Sequence, residues 1–531
     1  MRARTALGTV VIVLLASIAV GLYLNQHGNR ANSAVPPATD SPSTAATTPT
    51  SVRAKVIAAN PIVAENAKKG SSDWRIVGTS QGIQGFADKV SAQQGDDLGI
   101  YVSSSQKGPQ GFFIEAYRMG WYQGLGGRLI WRSKTMVAYP QAPGVVAPIT
   151  RMASAPWVKT TTIHLTSQWP PGDYLLKLVG QAGQSYVPFT LRDDASIAPV
   201  LVMNAVTTWQ AYNDWGGYSL YHGPRLSALT RADVVSFDRP YSRDGAGDFI
   251  ANELGLVSLV EHMGLEVSYT TDIDLHEHPE LLLQHKVLVS LGHDEYWSLA
   301  MRRGVEAARD KGVNVMFLGA NAVFRRIRLQ PSPFTGADRE EVNYRAIVND
   351  PDYRLDTSQP TTSWNQAPNA DPQNSLTGTY YECNPVNVDG VVADASSWVF
   401  AGTGLHNGDH VQLLIGTEYD RVVPGIPGTP SNIEVLFHSP LRCRGHASYA
   451  DAAYYTAPSG AGVFDAGTGA WVCKLFSGCP ADKPFAPNPL IQKITENLLT
   501  VFAQGPVGVT HPSQSNIAAI GEQRTTFGGG E

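Results

Sequence analysis

Read from the N-terminus, the apolar positions change rhythm three times. Residues 6–24 are an uncharged, largely apolar run behind Arg2 and Arg4. Residues 29–55 lose all hydrophobic period and turn to Ala, Pro, Ser and Thr. From 56 to 196, short β-branched or aromatic runs recur at 97–105, 111–120, 161–167 and 173–180, parted by Gly, Pro or Ser clusters. No helical stripe crosses that stretch, so the pattern predicts an all-β domain, a β-sandwich. Tyr117, Trp121 and Tyr122 read as core and corner aromatics in it.

From 197 to 505 strands alternate with helices. Residues 199–204 (PVLVMN) form a continuous apolar run, as in a strand covered on both faces. Residues 247–264 carry apolar side chains at helical spacing and close on Gly264. Strands are expected at 265–272, 285–297 and 313–321. The last two flank an amphipathic helix capped by Ser298 and ended by Gly312. Apolar runs at 410–420, 432–439 and 460–472 follow, and a helix over 489–504 closes the domain. The alternation implies an α/β domain with a mainly parallel sheet and helices on both faces. Residues 330–401 read as a loop-rich insertion bordering the site, and 506–531 as a flexible tail.

Composition and charge narrow the class. Hydrophobic residues are 43% of the 531, enough for a real core. Forty basic against 46 acidic residues leave a net charge of −6, with no basic excess to neutralise phosphates, so nucleic acid is not an expected partner. The Arg pair followed by the apolar run reads as a signal peptide or a signal anchor over residues 1–28. No cysteine follows the run, which excludes a lipoprotein anchor. Residues 29–55 then serve as a linker. The rest is expected outside the cytoplasm, either held at the cell membrane by an uncleaved segment or secreted.

In open α/β sheets ligands bind beyond the carboxyl ends of the strands. There the sequence places Tyr212, Asn213 and Asp214, then Gly292 to Tyr296, then Asn321, then Glu418 and Asp420. The Gly292 turn has no Ser or Cys at its apex, so it is not a nucleophile elbow. Cys383 with Cys443 and Cys473 with Cys479 read as disulfides. A metal site or general acid–base chemistry remains. Residues 271–278 (TDIDLHEH) look metal-binding by composition but read as a strand ending in a loop. Residues 324–328 (FRRIR) read as packing or salt-bridging near the site.

The motifs NAVTTWQAYNDWGGYSLY, SFDRPY, GHDEYWS, FLGANAVFRRIR, GTGLHNGDHVQLLIGTEYDRV and YYTAPSGAGVFDAGT resemble the large-subunit family of N,N-dimethylformamidase. The resemblance implies a glutamine-amidotransferase-like α/β domain behind the β-sandwich. It also implies a mononuclear iron, held by two tyrosines and a glutamate, that hydrolyses a small amide. Carried over, the glutamate ligand is Glu295 and the active-site histidine is His293. Asn321 matches the family's asparagine, and Glu418 is the further active-site glutamate. The tyrosine ligands match Tyr212 and Tyr241, with Tyr218 and Tyr221 as competitors. Phenolate and carboxylate oxygens are hard donors that suit Fe(III). The expected function is therefore an exported or membrane-anchored, iron-dependent hydrolase of a small amide. The alternative is a non-catalytic envelope protein that binds a glycan or a protein partner through the sandwich and the α/β cleft. The oligomeric state stays open, a homo-oligomer included.

Overall fold

The computed structural model describes residues 60–78, 82–356, 358–475 and 487–521. The N-terminal apolar run, its linker and Cys479 lie outside these residues. The fold is mixed and β-rich, with several sheets and few helices.

Two larger sheets and a short two-stranded pair, Val145–Val146 with Ala153–Ser154, occupy the first part. One carries Ile83–Ala87, Asp97–Ser104 and Thr161–His164. The other runs Ser91–Gln93, Gly183–Arg192, Gly172–Gly180, Gln110–Met119, Gly127–Arg132. Every second residue of the longer strands faces one shared core, where Leu98, Ile100, Ile114, Leu176, Leu178 and Phe189 meet. Tyr117 and Tyr122 are buried, in keeping with core aromatics. Arg118, between them in sequence, pairs with Glu261 at 2.6 Å, both fully buried, and so ties this part to the Leu254–His262 helix.

Among the described residues the largest sheet has seven strands. Its order is Val267–Thr271, Val200–Asn204, Val287–Gly292, Asn314–Gly319, Gly462–Asp465, His446–Thr456, Glu434–Cys443. The first five are parallel and the last two join antiparallel. Both faces of the central strands are covered. Val200 and Val202 pack into one core, Leu201 and Met203 into another. Leu254–His262 and Pro489–Phe502 lie on the first face, and Leu299–Arg309 on the second. Ser298 caps the last of these, its hydroxyl accepting from the Met301 amide.

Three local expectations need correction. The helix expected over 247–264 is two, Gly247–Asn252 and Leu254–His262. It breaks at Glu253, whose buried carboxylate instead accepts from the Ala205 amide (3.1 Å) and the Trp209 indole (2.8 Å). Residues 271–278 form no loop: Thr271 and Asp274 make a capping box, and Asp272–Glu277 is helical. The tail is packed in its described part. Val507 is buried, and the Asn516 side chain bonds both the amide and the carbonyl of Val435.

Within 330–401, loops alternate with regular pairing. Arg325–Ser332 and Gly336–Val342 form a hairpin, and Tyr380–Val391 pairs with His410–Arg421. Cys383 and Cys443 are joined by a disulfide, linking that pair to the edge of the large sheet. Cys473 is disulfide-bonded as well; Cys479, its expected partner, lies outside the described residues.

Candidate functional site

The site forms where parallel strands end. Gly292 closes its strand at φ +56°, and a Cβ there would stand 2.5 Å from the Asn252 carbonyl oxygen. A side chain at that position is therefore excluded twice, by the backbone conformation and by space. The turn releases His293, Asp294 and Glu295. Their backbone is then locked: the Glu295 amide donates to the Thr208 hydroxyl (3.0 Å), and the Glu295 carbonyl accepts from the Phe324 and Arg325 amides. Asp294 is turned inward, its carboxylate accepting from Ser290 (2.7 Å).

The Val206–Tyr212 helix follows the Val200–Asn204 strand and brings Tyr212 to Glu295. The irregular chain beyond it brings Tyr221 to the same place. Both phenols donate to Glu295 Oε2, at 2.9 Å from Tyr212 and 2.6 Å from Tyr221, and the two hydroxyls are 2.7 Å apart. Their rings stack with centroids 4.1 Å apart. The other carboxylate oxygen, Oε1, faces Arg325 Nε at 3.3 Å. Arg345 lies 4.3 Å over the Tyr221 ring and donates to the Tyr296 hydroxyl.

His293 Nε2 stands 3.2 Å from Glu418 Oε2 and 3.5 Å from Glu295 Oε2. Asn321, at φ +61°, is fixed by its amide, which donates to both oxygens of Asp420. Its side-chain nitrogen is 3.5 Å from His293 Nε2. Asn384 donates to Glu418 Oε1 at 2.8 Å.

The electrostatics follow from burial and these pairs. Burial, then the Glu295 charge, push both tyrosines well above the usual phenol range. Burial alone would lower His293, but the Glu418 and Glu295 carboxylates more than reverse it, to about 9. Burial alone would raise Glu418; His293 and the amides of Asn384 and Asn321 bring it below its ordinary value.

The structure thus gathers five of the six residues singled out above: Tyr212, His293, Glu295, Asn321 and Glu418. It does not bring Tyr241 to Glu295. That ring packs edge-on against Trp209, 6.1 Å between centroids, and lines a neighbouring cavity of about 580 Å³. Tyr221, a competitor in the sequence, holds the place instead. Tyr218 packs with Ala211 and Leu220. Arg345 and Asn384 went unnoticed in the sequence because both sit in the loop-like 330–401 stretch. The lone signal there was its placement beside the site. FRRIR does act near the site, through Arg325.

Among the described residues no group of three or more His, Cys, Asp or Glu side chains gathers as a metal cluster. The set at Glu295 is of another kind, two phenols and one carboxylate. Its three oxygens make a triangle with edges of 2.6, 2.7 and 2.9 Å. Adjacent ligands of an octahedral ion with bonds of about 2.0–2.1 Å lie about 2.9 Å apart. Three hard donors at that spacing fit one small, hard cation.

The family described as "N,N-dimethylformamidase beta subunit-like, C-terminal" matches residues 113–481. The N,N-dimethylformamidase beta subunit of Alcaligenes sp is 25% identical over 174 residues, 32% of this chain and 22% of that protein. The match therefore spans about a fifth of that relative's length. Among solved structures, a cycloisomaltooligosaccharide glucanotransferase of Paenibacillus sp. is 9% identical, with 52% of this chain and 35% of that one covered and a TM-score of 0.16.

Proposed function

Because the chain belongs to the N,N-dimethylformamidase beta subunit-like family, we propose that it hydrolyses a small amide at the Glu295 cluster. We read the large sheet with its flanking helices as an amidotransferase-like α/β domain over about 197–505, behind a β-sandwich over 56–196. The five parallel strands with helices on both faces support that reading. Residues 1–28 are proposed to export or anchor the chain, on the strength of Arg2, Arg4 and the apolar run.

The observation that carries the catalytic reading is the triangle of oxygens on Tyr212, Tyr221 and Glu295. These three side chains would hold a mononuclear iron, Tyr221 taking the place expected of Tyr241. When bound there, such an ion would supply Lewis acidity toward an amide carbonyl and a water molecule. The protein's own groups do the rest. Arg325 neutralises one oxygen of Glu295 and leaves the other for the triangle. Glu418 and Glu295 together hold a proton on His293 Nε2, and His293 delivers it to the departing amine. Asn384 keeps Glu418 turned toward His293. The Asn321 side-chain nitrogen donates to the oxygen of the tetrahedral adduct as its charge develops.

The test is iron content and amide turnover in the purified ectodomain, for wild type and Glu295→Gln. About one iron per chain, with hydrolysis of short formamides or acetamides lost in the variant, is the expected result. Wild type that holds iron but cleaves no short amide overturns the hydrolase reading.

A further inference from the structure

We infer that the substrate carries a cationic group distal to the scissile amide, seated in the cavity beside Tyr212 and Tyr221. The inference rests on the amide-hydrolase reading and gives that site a substrate class. The cavity holds about 580 Å³, within the ~300–1,000 Å³ of pockets that enclose drug-sized ligands. N,N-dimethylformamide, the amide in the relative's name, would leave most of it empty. Tyr212 and Tyr221, which reach Glu295 with their hydroxyls, form part of its wall. The cavity therefore adjoins the proposed reaction centre and shares these two tyrosines with it.

Its lining has a definite chemistry. Asp214, Asp244 and Asp248 contribute carboxylates, and Arg243 is the one guanidinium or ammonium among the lining residues. Arg243 is exposed, so water screens it. Trp209 and Tyr241 meet edge to face on the same wall. Trp209 is held in place by its bond to Glu253. The Tyr241 hydroxyl has no hydrogen-bond partner among the described residues, so a ligand can use it. Carboxylates set among aromatic faces favour an ammonium or guanidinium and repel an anion.

The test separates this inference from the hydrolase reading, because it measures binding without turnover. The probes are 2-phenylethylammonium, its neutral isostere 2-phenylethanol, and phenylacetate, titrated calorimetrically into the full ectodomain at low salt. The ammonium is expected to bind roughly tenfold more tightly than the alcohol, with phenylacetate excluded. The preference is expected to shrink with added salt and to vanish in Asp244→Asn/Asp248→Asn, which keeps side-chain size and acceptors. Equal affinity for ammonium and alcohol, no detectable binding of the ammonium, or a preference unchanged in the double variant each overturn it. Turnover of short neutral amides, scored separately, bears on the hydrolase reading alone.

Discussion

Gly319 lies against Gly292 so closely that a Cβ on Gly319 would fall 1.3 Å from the Gly292 carbonyl oxygen. The two residues pair on neighbouring parallel strands, one residue before the turn that carries His293. A methyl group there must push the backbone itself, since no side chain can yield. Gly319→Ala is expected to destabilise the fold by about 3 kcal/mol, read as a lower denaturant midpoint at unchanged slope. An unaltered midpoint would show that the two strands separate without cost.

Ligation is tested by comparing phenols. Tyr221→Phe is expected to lose most of its iron and its tyrosinate charge-transfer absorption. Tyr241→Phe is expected to keep both, because Tyr241 packs on Trp209 and not on Glu295. Metal analysis with a visible spectrum of each variant decides between them, and the opposite pattern would restore Tyr241 as the ligand.

Two substitutions probe the chemistry and leave the three residues of the triangle in place. Asn321→Ala removes a donor to the developing oxyanion and is expected to slow amide turnover by roughly 10²–10³ at full iron content. His293→Ala is expected to keep iron and to lose the limb of the pH–rate profile set by its proton. Steady-state kinetics of both, beside the metal content, check this. Undiminished turnover in both would place the chemistry elsewhere.

Asp173 makes stability depend on pH. It is fully buried, and burial outweighs its bonds from Asn204 and Thr190, raising its carboxyl to about 7. The folded chain therefore binds this proton more tightly than the unfolded chain, whose carboxyl titrates near about 3.9. Its contribution is complete below about pH 4 and is lost as pH rises toward about 7. Asp465 acts in the same sense. Asp173→Asn is expected to flatten the fall in unfolding free energy between those values, by an amount on the order of a few kcal/mol. Denaturant melts across that range measure it, and an unchanged slope would remove Asp173 as the source.

Legibility in the sequence followed the range of the forces involved. The Val200–Asn204, Val287–Gly292 and Asn314–Gly319 strands are readable because burial on both faces leaves no polar position in the run but Ser290 and the terminal asparagines. His293 and Glu295 are readable because they follow such a strand directly. The second tyrosine is not. Tyr212 and Tyr221 are joined by an irregular path through Gly216 and Gly217, both at positive φ, and no period tells which phenol turns inward. Asn384 reaches Glu418 through the pairing of Tyr380–Val391 with His410–Arg421, a long-range contact without a local signature. The helix at Asp272–Glu277 is signalled by Thr271 and Asp274, three residues apart, while its His and acidic composition mimics a metal-binding loop.

The residues around His293 come from stretches far apart in the chain: Tyr212 and Tyr221, Glu295, Asn321, Asn384 and Glu418. Each stretch is anchored in a different strand or pairing. A ligand that bridges them is bound by the folded chain and not by the unfolded one, so its binding free energy becomes cohesion between the segments. Occupancy at a hundred times the dissociation constant would add about 2.7 kcal/mol to the stability of the whole assembly. A shift in thermal midpoint thus reports any true ligand of this site, even one whose turnover has no assay.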